Sequence, residues 1–399
     1  MRRIDLRTAQ TARSSTIRDI NRQIVLNYVR EREPISRADI ARETALQRST
    51  VSTIVEELKT EGLIEEIGAG KSTGGRRPTL LRLRAAGALA IGVDITPTRT
   101  TIATCDLAGR VLRRVQFANS ARPDEMVALV IDRVREMAVG ETGQRVAGVG
   151  VSLPGLVDTE TGRAVYIPFF RWRDWAIAEE VEEATGLTVR VDNDANAAAL
   201  AELWFGRPEI SDARDFIMVL VAEGIGTGIV FDGQIYRGER GAAGEFGHMI
   251  VGQQAPTACS CGNFDCWEAF SSQRAAVARY VSTSAPGGVA GDVNFEGLVE
   301  CALGGGQAAI DALSETAHYL GIGISNLIVG LSPETVVVGG HITRAWSLIS
   351  PSLGETIRRS VRRGLPSARI VASTLGDQPT LMGAISLVLA RTFGLAEQQ

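Results

Sequence analysis

A chain of 399 residues, 45% apolar and 22% charged, has the composition of a folded soluble protein and the length of about two to three domains. That apolar content excludes wholesale disorder, and the lack of any uninterrupted apolar run of about 18 residues excludes a membrane-spanning helix. The net charge of −4 is uneven: residues 1–84 carry 17 Lys and Arg against 11 Asp and Glu, so a head of +6 precedes a body of −10 and only the head suits a polyanion.

The opening MRRIDLRTAQTARSST has arginines but no apolar stretch and does not read as a secretory signal. With only five cysteines, the expected compartment is reducing and cytoplasmic. Ile17, Ile20, Ile24, Val25 and Tyr28 form an apolar stripe that predicts a helix, stopped by Pro34. Ser36 is a suitable N-cap for a helix over Arg37–Thr44. The turn Ala45-Leu46 leads into a helix over Arg48–Glu61, with Val51, Ile54, Val55 and Leu58 inward and Gly62 as its C-cap. Leu63–Ile67 and Thr79–Leu83 read as short strands joined by GAGKSTGGRRP. This order predicts a winged helix-turn-helix over 1–84. The second helix of such a motif enters the major groove, which makes Gln47, Arg48, Ser49, Thr50, Ser52 and Thr53 candidates for DNA contact. Lys71, Arg76 and Arg77 in the hairpin loop are candidates for a minor groove. The alternative is a helical protein-interaction module with a solvated basic loop.

Beyond the Ala/Gly joint at 85–88, strand runs (Ala90–Ile95, Thr101–Asp106, Val146–Ser152, Phe216–Val221, Val336–Val338) alternate with helical stretches, which is α/β architecture. Gly-rich strand-turn signals near Asp94 and Glu223 suggest two related lobes, and 283–292 reads as a surface loop. Cys259-x-Cys261-x4-Cys266, downstream of His248, offers three thiolates and one imidazole. That closed set has the composition of a structural zinc site and leaves no position for a Lewis-acid water. Glu245 and Glu268 flank the cluster, and Asp192-Asn193-Asp194 closes a strand-like run before an Ala-rich helix. Such groups suit hydroxyl-rich ligands, but surface acids at helix starts would give the same pattern.

The segments RADIARETALQRSTVSTIVEELKTEGLI, GGRRP, GVSLPGLVD, VDNDANAAALAE, AAGEFGH, CSCGNFDCWE and VVVGG together resemble the ROK family, specifically its xylose-repressor and N-acetylglucosamine-repressor branch. The resemblance covers nearly the whole chain. It implies an actin-like, two-lobed sugar-binding body at 85–399 (lobes near 85–195 and 196–380, with a helix at 380–395 returning to the first), usually assembled as dimers or tetramers. Carried over by motif, Asn193, Asp194, Glu245, His248 and Glu268 would contact the sugar, and His248 would join Cys259, Cys261 and Cys266 on zinc. Phe169 stands where the family's P-N-L-x-W segment has a sugar-binding asparagine, so the ligand is expected to differ from simple glucose-like sugars or to bind weakly.

Kinases of the family bind ATP phosphates on turns resembling D-x-G-G-T and G-T-G-x-G-x-G. Here the first is Asp94-Ile95-Thr96-Pro97-Thr98, in which Pro97 has no N–H to give and both glycines are lost. The second begins Ala222-Glu223, placing a carboxylate where phosphates would repel it. Asp194 matches the catalytic-base position. The expectation is therefore a sugar-responsive DNA-binding regulator, a repressor of carbohydrate-utilisation genes without enzymatic activity. The alternatives are an ATP-dependent sugar kinase with a DNA-binding head and a repressor gated by a partner protein.

Overall fold

The structure, a computed structural model, describes residues 14–70, 77–139, 144–211, 213–284 and 293–393. Lys71, Arg76 and most of the loop expected at 283–292 lie outside them.

The first helix, α1 (Ser14–Arg32), ends two residues before Pro34. Its inner face differs from the predicted stripe: Ile17 is 49% exposed, whereas Val25, Leu26 and Val29 are fully buried. Next come β1 (Ile35–Ser36) and α2 (Arg37–Thr44), where the Ser36 hydroxyl accepts the Asp39 N–H at 3.2 Å as the expected cap. Ala45 takes φ +57°, a left-handed turn that leads to α3 (Arg48–Thr60). This helix buries Val51, Ile54, Val55 and Leu58 and is capped by Glu61 rather than Gly62, which follows at φ +75°. The hairpin β2 (Ile64–Ala69) and β3 (Thr79–Leu83), with β2 starting one residue later than expected, completes a three-stranded sheet in the order β1-β3-β2.

A 3-10 turn at Ala85–Gly87 joins this head to β4 (Leu89–Ile95), β5 (Arg99–Asp106), β6 (Val111–Ala118), α4 (Pro123–Ala138) and β7 (Val146–Leu153). A small sheet of β8 (Leu156–Asp158), β9 (Arg163–Ile167) and β10 (Trp172–Trp175) follows, then α5 (Ile177–Thr185), β11 (Val189–Asn193), α6 (Asp194–Phe205) and the short α7 (Pro208–Ser211). The second half runs β12 (Phe216–Val221), β13 (Ile225–Phe231), β14 (Gln234–Ile235), α8 (Trp267–Ser271), α9 (Gln273–Ser284), α10 (Phe295–Leu303), α11 (Gln307–Leu331), β15 (Thr335–Gly339), α12 (Trp346–Ser360), β16 (Arg369–Ala372) and α13 (Pro379–Phe393).

The two large sheets share one plan. In β11-β7-β4-β5-β6 an antiparallel three-strand meander is extended by two parallel strands, and β14-β13-β12-β15-β16 repeats that pairing. This is the α/β, two-lobed actin-like arrangement. The helix α6 packs against β13 of the second sheet and along α13, which itself lies across β4 and β7 of the first. A division of the lobes near residue 195 therefore falls in the first turn of α6.

Head and body share one hydrophobic core. A continuous buried cluster runs from Val25, Leu26 and Val29 through the head to Leu381, Ile385, Leu389 and Phe393 of α13. The Asn27 amide donates to the Phe393 carbonyl, and the Arg30 guanidinium sits 4.3 Å over the Trp204 ring. This docking explains the departure from the predicted stripe, since part of what α1 buries lies over 300 residues away in sequence.

Candidate functional site

In the head, the two ends of α3 are treated differently. Its C-terminal half is held by ion pairs: Glu56 with Arg37, Glu57 with Arg18, Glu61 with Arg22, and Lys59 with Glu66 at 2.9 Å. Its N-terminal end is left open. Gln47, Arg48, Ser49 and Thr53 are exposed, Thr50 and Ser52 are half-buried, and Arg48 has no carboxylate partner among the described residues. The Thr53 hydroxyl is turned back to the Ser49 carbonyl at 3.1 Å, so it offers mainly its methyl group. Arg77 is described and exposed at the foot of the wing, while Lys71 and Arg76 lie outside the described residues.

The four predicted metal ligands converge. One donor atom from each of His248, Cys259, Cys261 and Cys266 lies within 4.8 Å of every other. Cys259 Sγ is 3.3 Å from His248 Nδ1 and 3.2 Å from Cys261 Sγ, and Cys261 Sγ is 3.9 Å from Cys266 Sγ. A tetrahedron with Zn–S of ~2.3 Å and Zn–N of ~2.0 Å has edges of about 3.6–3.8 Å, so the donor set fits a four-coordinate zinc. The other ring nitrogen of His248 is 3.4 Å from Glu245 Oε2, at the mouth of the cleft between the lobes. The loop also holds Glu268: its Oε1 accepts the Ser260 N–H at 3.2 Å and the Ser260 hydroxyl at 3.1 Å. Metal cluster and cleft carboxylates are thus mechanically one unit.

Across the cleft, Asn193 caps α6, its Oδ1 accepting the Ala195 N–H at 2.9 Å while its Nδ2 donates to the Gly155 carbonyl at 3.0 Å. Those bonds commit most of its polar capacity to holding the strand-helix corner. Asp194 is crowded by protein, and burial pushes its carboxyl up to about 7, with Asp94 and Glu245 adding like-charge repulsion. Asp94 is 3% exposed; burial raises it to about 6 against the hydrogen bond donated by Thr380 at 2.9 Å. Its Oδ1 has no partner among the described residues, so Asp94 belongs to the site although its sequence signal was absorbed in a turn motif. Asp192 does not point to a ligand. Arg237 of the second lobe grips its Oδ2 through two N–H groups, at 3.0 and 2.7 Å, tying the lobes together.

Sequence reasoning missed Arg274. At the start of α9 it donates to the Glu223 carbonyl at 2.9 Å, lies 3.8 Å from Glu268 and stacks 5.6 Å over the Phe169 ring. Phe169 thereby reaches from the first lobe to the second. No motif marked Arg274, because Ser272 breaks the helix between it and Glu268.

Both Gly-rich turns are closed on themselves. Thr96 N–H bonds the Arg99 carbonyl at 2.9 Å, and Ala222 N–H bonds the Gly224 carbonyl at 2.9 Å. The surviving glycines have a packing reason. A Cβ on Gly226 would stand 2.8 Å from Ala195 Cβ, and one on Gly228 only 2.4 Å from the Ala195 carbonyl, so these residues let α6 lie on β13.

The sequence matches the ROK family over residues 90–391 and the MarR family over residues 24–77. It is 30% identical to the xylose repressor of Caldicellulosiruptor bescii, covering 96% of this chain and 98% of that protein. It is 29% identical to the DNA-binding transcriptional dual regulator NagC of Escherichia coli, over 95% of each. Among solved structures, a ROK family transcriptional regulator, a homologue of the Escherichia coli MLC protein, superposes with a TM-score of 0.81 at 28% identity, covering 95% of this chain and 98% of that one. A ROK family glucokinase from Streptomyces griseus in complex with glucose and AMPPNP superposes with a TM-score of 0.67 at 30% identity, over 75% of this chain and 99% of its own. With its body matched from 90 to 391 and its head carrying the fold of a winged helix-turn-helix, the chain belongs to the ROK family.

Proposed function

We propose that this protein is a sugar-responsive DNA-binding repressor of carbohydrate-utilisation genes, with DNA read by residues 1–84 and sugar bound by residues 85–399. One observation carries the reading. The open N-terminal end of α3 belongs to a head whose core continues into the lobe that holds Asp94 and Asp194, so a change in the cleft has a solid path to the DNA-reading face. In this reading Gln47, Arg48, Ser49, Thr50, Ser52 and Thr53, with Arg77 and the wing residues Lys71 and Arg76, contact the duplex. Asn193, Asp194, Glu245, His248 and Glu268 surround the sugar, with Asp194 as an acceptor for a hydroxyl group. Zinc on His248, Cys259, Cys261 and Cys266 supplies rigidity to the loop that holds Glu268 and His248, and no bond-making step. A sugar acts by binding the two lobe arrangements with different affinity, typically worth ~1–3 kcal/mol of coupling. In a homodimer or homotetramer that difference alters the spacing of two heads.

The protein is not a kinase in this reading, because both phosphate turns spend backbone N–H groups internally and Pro97 has none. A second reading, sugar phosphorylation, is favoured by one observation: Asp194 keeps the base position with its carboxyl raised to about 7, suited to taking a proton from a hydroxyl. Fluorescence anisotropy on DNA from upstream of the protein's own gene, across a panel of sugars, tests the first reading. Tight, salt-dependent binding that one sugar shifts several-fold is expected; binding indifferent to every sugar overturns the sugar-responsive reading in favour of a partner-protein signal. Incubation with ATP and a hexose panel tests the second, and sugar phosphate above background would establish a kinase.

A further inference from the structure

A cleft of about 280 Å³ lies on the seam between head and body, away from the sugar site. Its head wall is formed by the middle of α1 and the end of α3, and its body wall by β7, β11 and the last turns of α13. Four arginines line it, Arg22, Arg145, Arg190 and Arg391, against a single carboxylate, Glu61. Arg22 already pairs with Glu61. The other three guanidiniums have no carboxylate within ion-pair distance among the described residues. All three are exposed side chains, and they gather at one concavity of a body whose net charge is −10, where an anion would meet several donors at once.

We propose that this cleft binds a phosphorylated small molecule on Arg145, Arg190 and Arg391 of the body, held against the Arg22–Glu61 pair of the head. Guanidinium forks match the oxygens of a phosphate, and a phosphate monoester offers enough acceptors for several forks at once. The volume lies at the low end of the ~300–1,000 Å³ of small-molecule clefts and leaves room for a small organic group beyond the phosphate. A DNA backbone does not fit the placement. The cleft touches α3 at its Glu61 end, and the base-reading end at Arg48 is 13 residues away, about 20 Å along the helix. The site is independent of the sugar reading, because none of its lining residues belongs to the cleft between the lobes. Bound there, the anion would fix the head's angle on the body and act as a second input.

The test is isothermal titration of the full chain with inorganic phosphate and with glycerol 3-phosphate, in a phosphate-free buffer, against the double variant Arg145→Gln, Arg190→Gln. Glycerol 3-phosphate is chosen because it lacks a sugar ring. Expected is binding of glycerol 3-phosphate that the double variant weakens at least tenfold with an unchanged melting profile. Should the double variant melt abnormally, Arg391→Gln, at the exposed end of α13, is read instead. No binding of either probe, or equal binding by the variants, overturns the proposal. A variant that loses affinity for a random DNA duplex in phosphate-free buffer also overturns it, because the arginines would then be DNA contacts.

Discussion

Asp194 is neutral when buried and useful when ionised, and that conflict is measurable. An unfolded chain releases this proton near 3.8, whereas the folded chain holds it up to about 7. Between those values the folded state binds more protons, so this residue's contribution to stability falls as pH rises through the window and is fully lost above it. Asp194→Asn keeps the neutral form at every pH. Its stability relative to the parent in thermal melts should therefore rise between about pH 4 and about pH 7 and level off above that window. Sugar affinity of the parent should rise over the same window if the ionised carboxylate is the acceptor. A second residue-scale strain is Ala45, whose φ of +57° suits glycine better than alanine. Ala45→Gly should stabilise the head by about 0.5–1 kcal/mol in a thermal melt, with duplex binding retained.

Among the elements, α3 and the cysteine loop make opposite predictions. Arg48 has no carboxylate partner among the described residues, so Arg48→Ala should weaken duplex binding several-fold and lower its salt dependence while melting temperature and sugar affinity stay unchanged. Cys261→Ser should lose bound zinc by elemental analysis and lower stability and sugar affinity together, because the same loop holds Glu268 through Ser260. Much of this scale was legible in the sequence. Capping by Ser36 and the apolar spacing of Val51, Ile54, Val55 and Leu58 are local signals, and the structure places α2 and α3 where they point. The thiol and imidazole spacing likewise announced the cluster at His248. What could not be read depended on distant partners. The buried face of α1 meets α13, Arg274 meets Phe169 across the cleft, and the glycines of β13 serve α6. Each of these pairs residues with no periodic relation along the chain.

For the whole molecule, the shared core predicts that head and body unfold together. Calorimetry should show one cooperative transition, and Phe393→Ala, which removes a fully buried ring from that core, should cost about 3–5 kcal/mol and split the transition in two. A head that melted separately in the parent would show that the docking contributes little. The position of α13 has a further consequence, in the timing of synthesis. The head leaves the ribosome before the body, and Leu381, Ile385, Leu389 and Phe393, which extend its core, follow more than 350 residues after Val25. At roughly 5–20 residues per second, α1 waits on the order of 20–70 s for α13. A chain terminated before α13 would keep most of the body but lack the helix whose apolar face continues the head's core. Such a fragment would lack the contacts of Asn27 and Arg30 with Phe393, so the head is firmly seated on the body only once α13 is in place.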